Sequence, residues 1–390
     1  MFEYESPLQK EAPKYDWIFL GIALCVSLPF YISACGMIIA LLYLMASDRS
    51  HLKDMITQTG YMGLFVLMAA LTATFRWNII GVATALGMWL FILLMSFYYS
   101  SITPRRYKCM QQTLIATSLV PIGVTLWSYY KYLQSEGLGW LYIVQTSSPR
   151  FRADATFFNA NYYGYYCILI ILVCVYRLFK DRWGIKSLYY VSMILINLLG
   201  IVMTASRMLY PALVVGVVVL LIFIDKRFGF LALLVGSLGV ATLVLKPSLF
   251  PRFSSLAYAF EDRYKLWTTG WIIFKHSPLT GHGPLSYLRY YYLFQGKATL
   301  HSHSLYIDSL ASYGLFGVFV LFLGLVDFIR RCLTAIEQRY ALPELGLVLS
   351  FIAVTLVHGI TDVSIFWPQT AYVFAVIVLV PFDLLGKLEK

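Results

Sequence analysis

Charge is what this sequence has least of. Asp, Glu, Lys and Arg make up 13% of its 390 residues, where a water-soluble domain carries about a quarter. Hydrophobic residues make up 60%. So little polar surface cannot coat a soluble core, and the chain reads as an integral membrane protein. Cysteine is sparse too. There are six, none in a C-x-x-C pair, and most lie in apolar runs. They read as small core residues, not as disulfides or zinc ligands. No internal repeat, heptad or low-complexity tract is present, which argues against solenoids and coiled coils. The first sixteen residues are polar and lead to no short apolar stretch with a small-residue cleavage site, so no cleavable signal peptide is expected. No basic domain stands apart from the apolar runs, and nucleic acid is excluded as a partner on that ground.

Long apolar runs are what the sequence has instead. Runs of roughly 15–25 residues predict membrane helices. They lie near 17–30, 32–47, 55–75, 79–99, 113–130, 162–179, 187–204, 208–224, 229–246, 305–329, 345–360 and 366–385. Residues 17–47 form one continuous run, too long for a single upright helix, and Pro29 sits where a hairpin would bend. Splitting it there gives about twelve spans in one all-α, polytopic membrane domain covering 1–390, with both termini on one side. Arg105, Arg106, Lys108, Lys180, Arg182, Lys226, Arg227, Arg330 and Arg331 fall between spans on that side. The positive-inside rule makes it cytoplasmic. The net charge of +11 is then mostly a record of topology and of anionic lipid headgroups. Two longer segments face outward, about 131–161 and 247–304. The second is expected to be an extracytoplasmic loop carrying short amphipathic helices.

Topology gives no reason for arginine on the outer face, yet Arg150, Arg152, Arg207, Arg252, Arg263 and Arg289 are all predicted there. The planar, permanently charged guanidinium suits phosphate. Arg207 occupies a three-residue turn, M-T-A-S-R-M-L-Y-P, between two spans. Snorkelling to headgroups is the plain alternative to a phosphate contact. Arg263 opens an interfacial amphipathic helix with Tyr264, Trp267, Trp271 and Phe274 at helical spacing. There the neighbouring Glu261 and Asp262 can pair with it. In the loop 247–304 the G-x-G at 281–283 reads as a tight turn, since a lone G-x-G is weak evidence for phosphate. Asn159 and Asn161 precede a span, where one of them suits a helix cap.

Four of the six histidines lie in 247–304: His276, His282, His301 and His303. A zinc site would show three or four ligands at recognisable spacing, and these do not, so no metal is expected. A neutral imidazole near a hydroxyl is instead a candidate proton acceptor. Helix capping by His303 or Ser304 is the structural alternative. His358 and Asp362 end another span at the same depth, spaced i, i+4 if the helix continues, and an ionisable pair at that depth suggests function. The aromatic run at Tyr287, Tyr290, Tyr291, Tyr292 and Phe294 suits interfacial anchoring or sugar stacking.

Taken in order, these motifs resemble a family. R-x-x-x-T-F-x-N-x-N precedes a helix, and T-x-S-R forms a short outer turn. D-R-x-x-L-W, P-L-T-G-H-G-P, H-S-L-Y-I-D-S-L-A-S-Y-G-L-F-G and H-G-x-x-D follow. From Arg152 to Asp362 the set resembles the O-antigen ligase and O-antigen polymerase superfamily of bacterial membrane glycosyltransferases. By position, the resemblance implies that Arg207 and Arg263 bind a lipid diphosphate and that His303 activates an acceptor hydroxyl. Arg152, Asn161, His301, Ser304, His358 and Asp362 are the supporting candidates. Ser304 stands where the family usually has Asn. The implied donor is a glycan on undecaprenyl diphosphate at the outer face of the cytoplasmic (inner) membrane. The acceptor is a saccharide or a lipid-linked molecule, the transfer inverts, and no metal or cofactor is implied. Ligase and polymerase both remain open, with the loop motifs closer to the ligase branch. A transporter of lipid-linked sugar or a small solute is the rival of another class. Two repeated halves would mark one, and the halves here do not look alike.

Overall fold

The computed structural model describes residues 13–147, 149–181, 184–246 and 256–381. Among these the chain is all-helical, with no strand. The first half runs α1 (Pro13–Val26), α2 (Phe30–Ser47), α3 (Leu52–Gln58), α4 (Gly60–Phe75), α5 (Ile79–Ser101), α6 (Pro104–Thr117), α7 (Leu119–Glu136) and α8 (Tyr142–Gln145). There follow α9 (Ala160–Lys180), α10 (Ile185–Thr204), α11 (Leu209–Ile224), α12 (Lys226–Leu245), α13 (Leu256–His276), α14 (Ser286–Tyr290), α15 (Leu305–Glu337), α16 (Leu342–His358) and α17 (Pro368–Val378).

Six helical segments are long and apolar enough to cross a membrane: α2, α5, α6 with α7, α9, α10 and α15. A seventh arises if the segment 49–75, bent by 80°, counts as one span. The bend falls inside the run expected at 55–75, so residues 55–58 belong to α3. Residues 17–47 do form two helices, and Pro29 sits at the N-cap of α2. Arg106 was expected in an inner loop. It lies buried in the first turn of α6, where Asp16 on α1 takes its Nε at 2.5 Å.

α9 lies at the centre. It is apolar on every side, and Ala160 to Cys174 are all buried, as expected of a helix enclosed by others. Its neighbours are α6, α10, α11, α16 and α17. At its C-terminal end Lys180 pairs with the fully buried Glu344 of α16 at 2.7 Å, and Tyr176 Oη donates to the same carboxylate at 2.9 Å. At its N-terminal end Asn159 caps the helix, its side chain accepting the Asn161 N–H at 2.8 Å. Both ends of α9 are therefore fixed, and the N-terminal end becomes a platform.

A second construction explains the P-L-T-G-H-G-P motif. α15 breaks at Gly314, whose backbone is non-helical with φ 63°. A continuous helix would bond the Leu315 and Phe316 N–H groups to the carbonyls of Ala311 and Ser312. Here Pro278 O and Leu279 O accept those two N–H groups at 2.8 and 2.9 Å. The released carbonyls of Ala311 and Ser312 accept His282 N–H and Gly283 N–H at 3.1 and 2.8 Å. All four groups freed by the break are thus satisfied by one inserted loop, as buried backbone requires. Asn78, which caps α5, donates to Pro284 O at 2.9 Å and holds the loop from the other side. The glycines at 281 and 283 serve this splice, which gives the G-x-G a structural role.

Candidate functional site

The expected residues meet at one end of the helices, where α9 and α15 begin and α10 and α16 end, beside α13. Three arginines come first. Arg152 lies on the loop before α9, tied down where Ala153 N–H donates to Met203 O at 2.9 Å. Its Nε donates to Thr204 O at 3.2 Å and its guanidinium to Asn161 Oδ1 at 2.9 Å. Arg207 follows the left-handed Ala205 that ends α10, and it reaches Ser147 O at 3.5 Å. Arg263 Nε lies 3.5 Å from Thr361 O. Arg263 stands in the interior of α13, which begins at Leu256; the expected first-turn placement is corrected. Glu261 and Asp262 form ion pairs with Lys265 and Lys297.

The three arginines sense one another. Burial lowers the pKa of Arg263, with Asp362 and Asp262 opposing it. Burial lowers that of Arg207, helped by the Arg263 charge. Loss of water lowers that of Arg152 as well, helped by Arg263 and Arg207 and opposed by Asp362. Asp362 is the anion that Arg152 and Arg263 share.

Asp362 is the hub. The helix α16 ends at His358, and the N–H groups of Thr361 and Asp362 turn back onto His358 O at 3.1 Å each, the second as a last i→i−4 bond. That turn aims the Asp362 carboxylate into the site. Asn161 Nδ2 donates to its Oδ2, and Val363 N–H to its Oδ1 at 2.7 Å. His301 Nε2 stands 3.6 Å from Oδ1, and His303 Nδ1 stands 3.4 Å from Oδ2. The second approach is close without being aligned, since His303 Nδ1 has no hydrogen-bond partner. Burial alone would raise the carboxyl of Asp362. His303, His301 and His358 outweigh burial and hold it well below the usual carboxylate range.

His303 has a left-handed backbone, φ 52°, rare for a residue with a side chain. Its carbonyl accepts Trp267 Nε1–H at 3.0 Å, and its N–H donates to His301 Nδ1 at 3.2 Å. The flanking residues are held equally firmly. Ser302 N–H donates to Asp308 Oδ1 at 3.0 Å, and Leu305 N–H to Gly359 O at 2.7 Å. Ser304 caps α15 as expected, its Oγ accepting Ile307 N–H at 3.5 Å. His301 is buried, with Nε2 against Tyr162 Oη at 2.8 Å. Burial, with the His303 charge, pushes its pKa down to about 4 against the pull of Asp362. His358 is buried, lies over the Tyr165 ring and reaches Ser364 Oγ at 3.4 Å.

The alternating histidines do converge. One donor atom each from His301, His303 and Asp362 lies within 4.8 Å of the others, near enough to reach a common cation. Both ring nitrogens of His301 are engaged within the protein, however, and the arginines add positive charge.

Other expected residues stand elsewhere. Arg289 lies over the Tyr290 ring, and Arg252 is outside the described residues. Tyr287 is buried and packs with Leu266, Ile273, Phe274 and Ala311, which makes it an anchor between α13 and α15. Tyr162 and Trp267 touch the two site histidines, yet neither was singled out for that. Tyr162 is one of many tyrosines around it, and Trp267 reads as an interfacial residue.

The fold and site together define a polytopic membrane protein in which one end of the helices carries a cluster of arginines, histidines and a carboxylate. Residues 192–322 match the family model described as O-antigen ligase, and this match supports the O-antigen ligase superfamily resemblance drawn from the motifs. The matched stretch includes Arg207, Arg263, His301, His303 and Ser304. Arg152, Asn161, His358 and Asp362 lie beyond it and are joined to it by geometry. No curated protein matches the chain.

Proposed function

We propose that this protein transfers a glycan from undecaprenyl diphosphate to an acceptor hydroxyl, by inversion and without a metal, at the outer face of the cytoplasmic membrane. About twelve spans with both termini in the cytoplasm would present the site outward. The observation that carries the reading is the meeting of Arg152, Arg207 and Arg263 around the Asp362 and His303 pair. Arg207 and Arg263 bind the donor diphosphate, with Arg152 in support. Their charge stabilises the diphosphate as it leaves, in the manner of other fixed cationic sites. His303 takes the proton of the acceptor hydroxyl as that oxygen attacks the anomeric carbon. Asp362 faces the imidazole and stabilises it once protonated. Asn161 and Arg152 hold Asp362 in turn, while Ser304 and His358 secure the helix ends that flank the site. We favour a ligase, in which a saccharide or lipid-linked acceptor takes a finished chain. A repeat-unit polymerase would use the same residues with a second lipid-linked glycan as acceptor.

The test is direct. Purified protein given undecaprenyl-diphosphate glycan and acceptor should release undecaprenyl diphosphate in the presence of a chelator. His303→Ala should fold and lose turnover by roughly 10²-fold or more. Turnover that stops with chelator and returns with zinc would overturn the metal-free reading.

A further inference from the structure

His303 is held in an unusual conformation by a neighbour with no assigned task. A left-handed backbone is disfavoured for a residue with a side chain, so it persists only where the surroundings impose it. Both peptide groups of His303 are held by side chains. Trp267 donates to its carbonyl at 3.0 Å, and His301 Nδ1 accepts its N–H at 3.2 Å.

His301 is itself fixed. With Nδ1 accepting, the neutral ring carries its proton on Nε2, which faces Tyr162 Oη at 2.8 Å and Asp362 Oδ1 at 3.6 Å. This tautomer follows from the hydrogen bonds. A protonated His301 would set an N–H against the N–H of His303 and lose the contact. The buried setting keeps the ring neutral at ordinary pH, since it pushes the pKa to about 4.

We propose that His301 is a positioning residue for the reaction: through Nδ1 it holds the His303 backbone left-handed and so places the His303 ring beside Asp362. The inference rests on the reading of His303 as the base. His301 touches no reacting atom; it acts through one backbone hydrogen bond, and Tyr162 orients its ring.

Two side chains separate this role from its rivals. Asn places its Oδ1 where His has Nδ1, and Gln places its amide near Nε2. His301→Ala should lower kcat by about 10²-fold, the scale expected of a misplaced group, with the donor KM changed less than about 3-fold because the arginines are untouched. His301→Asn should recover most of the loss, and His301→Gln should stay near the Ala value. Turnover is normalised to folded protein by size-exclusion, so a merely structural role would leave kcat unchanged. His303→Ala is measured in parallel. Wild-type kcat in His301→Ala beside a dead His303→Ala overturns the positioning role and spares the base. Rescue by Gln and not Asn overturns the role of Nδ1 in favour of Nε2. An active His303→Ala overturns the base reading and the positioning role with it. If the Ala variant does not fold, the Asn and Gln pair decides.

Discussion

At the scale of single residues, the site depends on His301 staying neutral. Burial and His303 press its pKa to about 4, against an ordinary 6.5, and Asp362 and Tyr162 are the other groups facing it. Between those values the unfolded chain binds a proton that the folded chain does not. Stability therefore rises with pH through this window and is lost as pH falls from about 6.5 toward 4. The thermal midpoint of the wild type in detergent should fall across that range. His301→Asn lacks the titrating ring, so the difference between the two curves should narrow as the pH drops. Parallel curves would show that His301 contributes nothing to the slope. The same residue marks a limit of reading from sequence. H-S-H-S showed two histidines spaced as on a strand, and a proton acceptor was legible there. Which of them was bent into a left-handed turn was not, because that depends on Trp267 and Tyr162, which approach from other helices.

At the scale of elements, the junction between α15 and the loop 278–284 orders the site. α15 starts with the Ser304 cap and breaks at Gly314, and the inserted loop keeps the break hydrogen-bonded. Gly281 has φ 68°, and a Cβ there would lie 2.5 Å from the Ser312 carbonyl. Gly314 has φ 63°, and its Cβ would strike the Leu279 carbonyl. Each alanine would combine a disfavoured backbone with a contact against rigid main chain. Gly281→Ala and Gly314→Ala should each lower stability by roughly 2–4 kcal/mol, read as an earlier thermal or denaturant transition. Wild-type stability in either would mean that the splice does not hold α15. P-L-T-G-H-G-P and S-Y-G-L-F-G were both visible as motifs. Their union was not, because backbone bonds between distant segments leave no periodic signal. The helices themselves were largely legible, since apolar runs must be long to cross lipid. Boundaries failed where polar residues enter helices, as at Arg106.

At the scale of the whole molecule, the two ends of α9 have different chemistry. The C-terminal end closes on ion pairs, Lys180 with Glu344 and Arg177 with Asp181 at 3.6 Å. The N-terminal end gathers Arg152, Arg207 and Arg263 with Asp362 and the site histidines. This polarity has a consequence for orientation. A diphosphate-linked donor on the outer leaflet requires Arg207 and Arg263 outside, with Arg330 and Arg331 inside. Single cysteines in a background freed of the six native ones test it. Cysteine at Lys297, which is exposed beside the site, should react with a membrane-impermeant maleimide in intact cells. Cysteine at Arg331, also exposed, should react only after the membrane is opened. The reverse pattern would place the arginines in the cytoplasm. A nucleotide sugar would then be within reach of the site, and the case for a lipid-linked donor would fail however well the cluster binds phosphate.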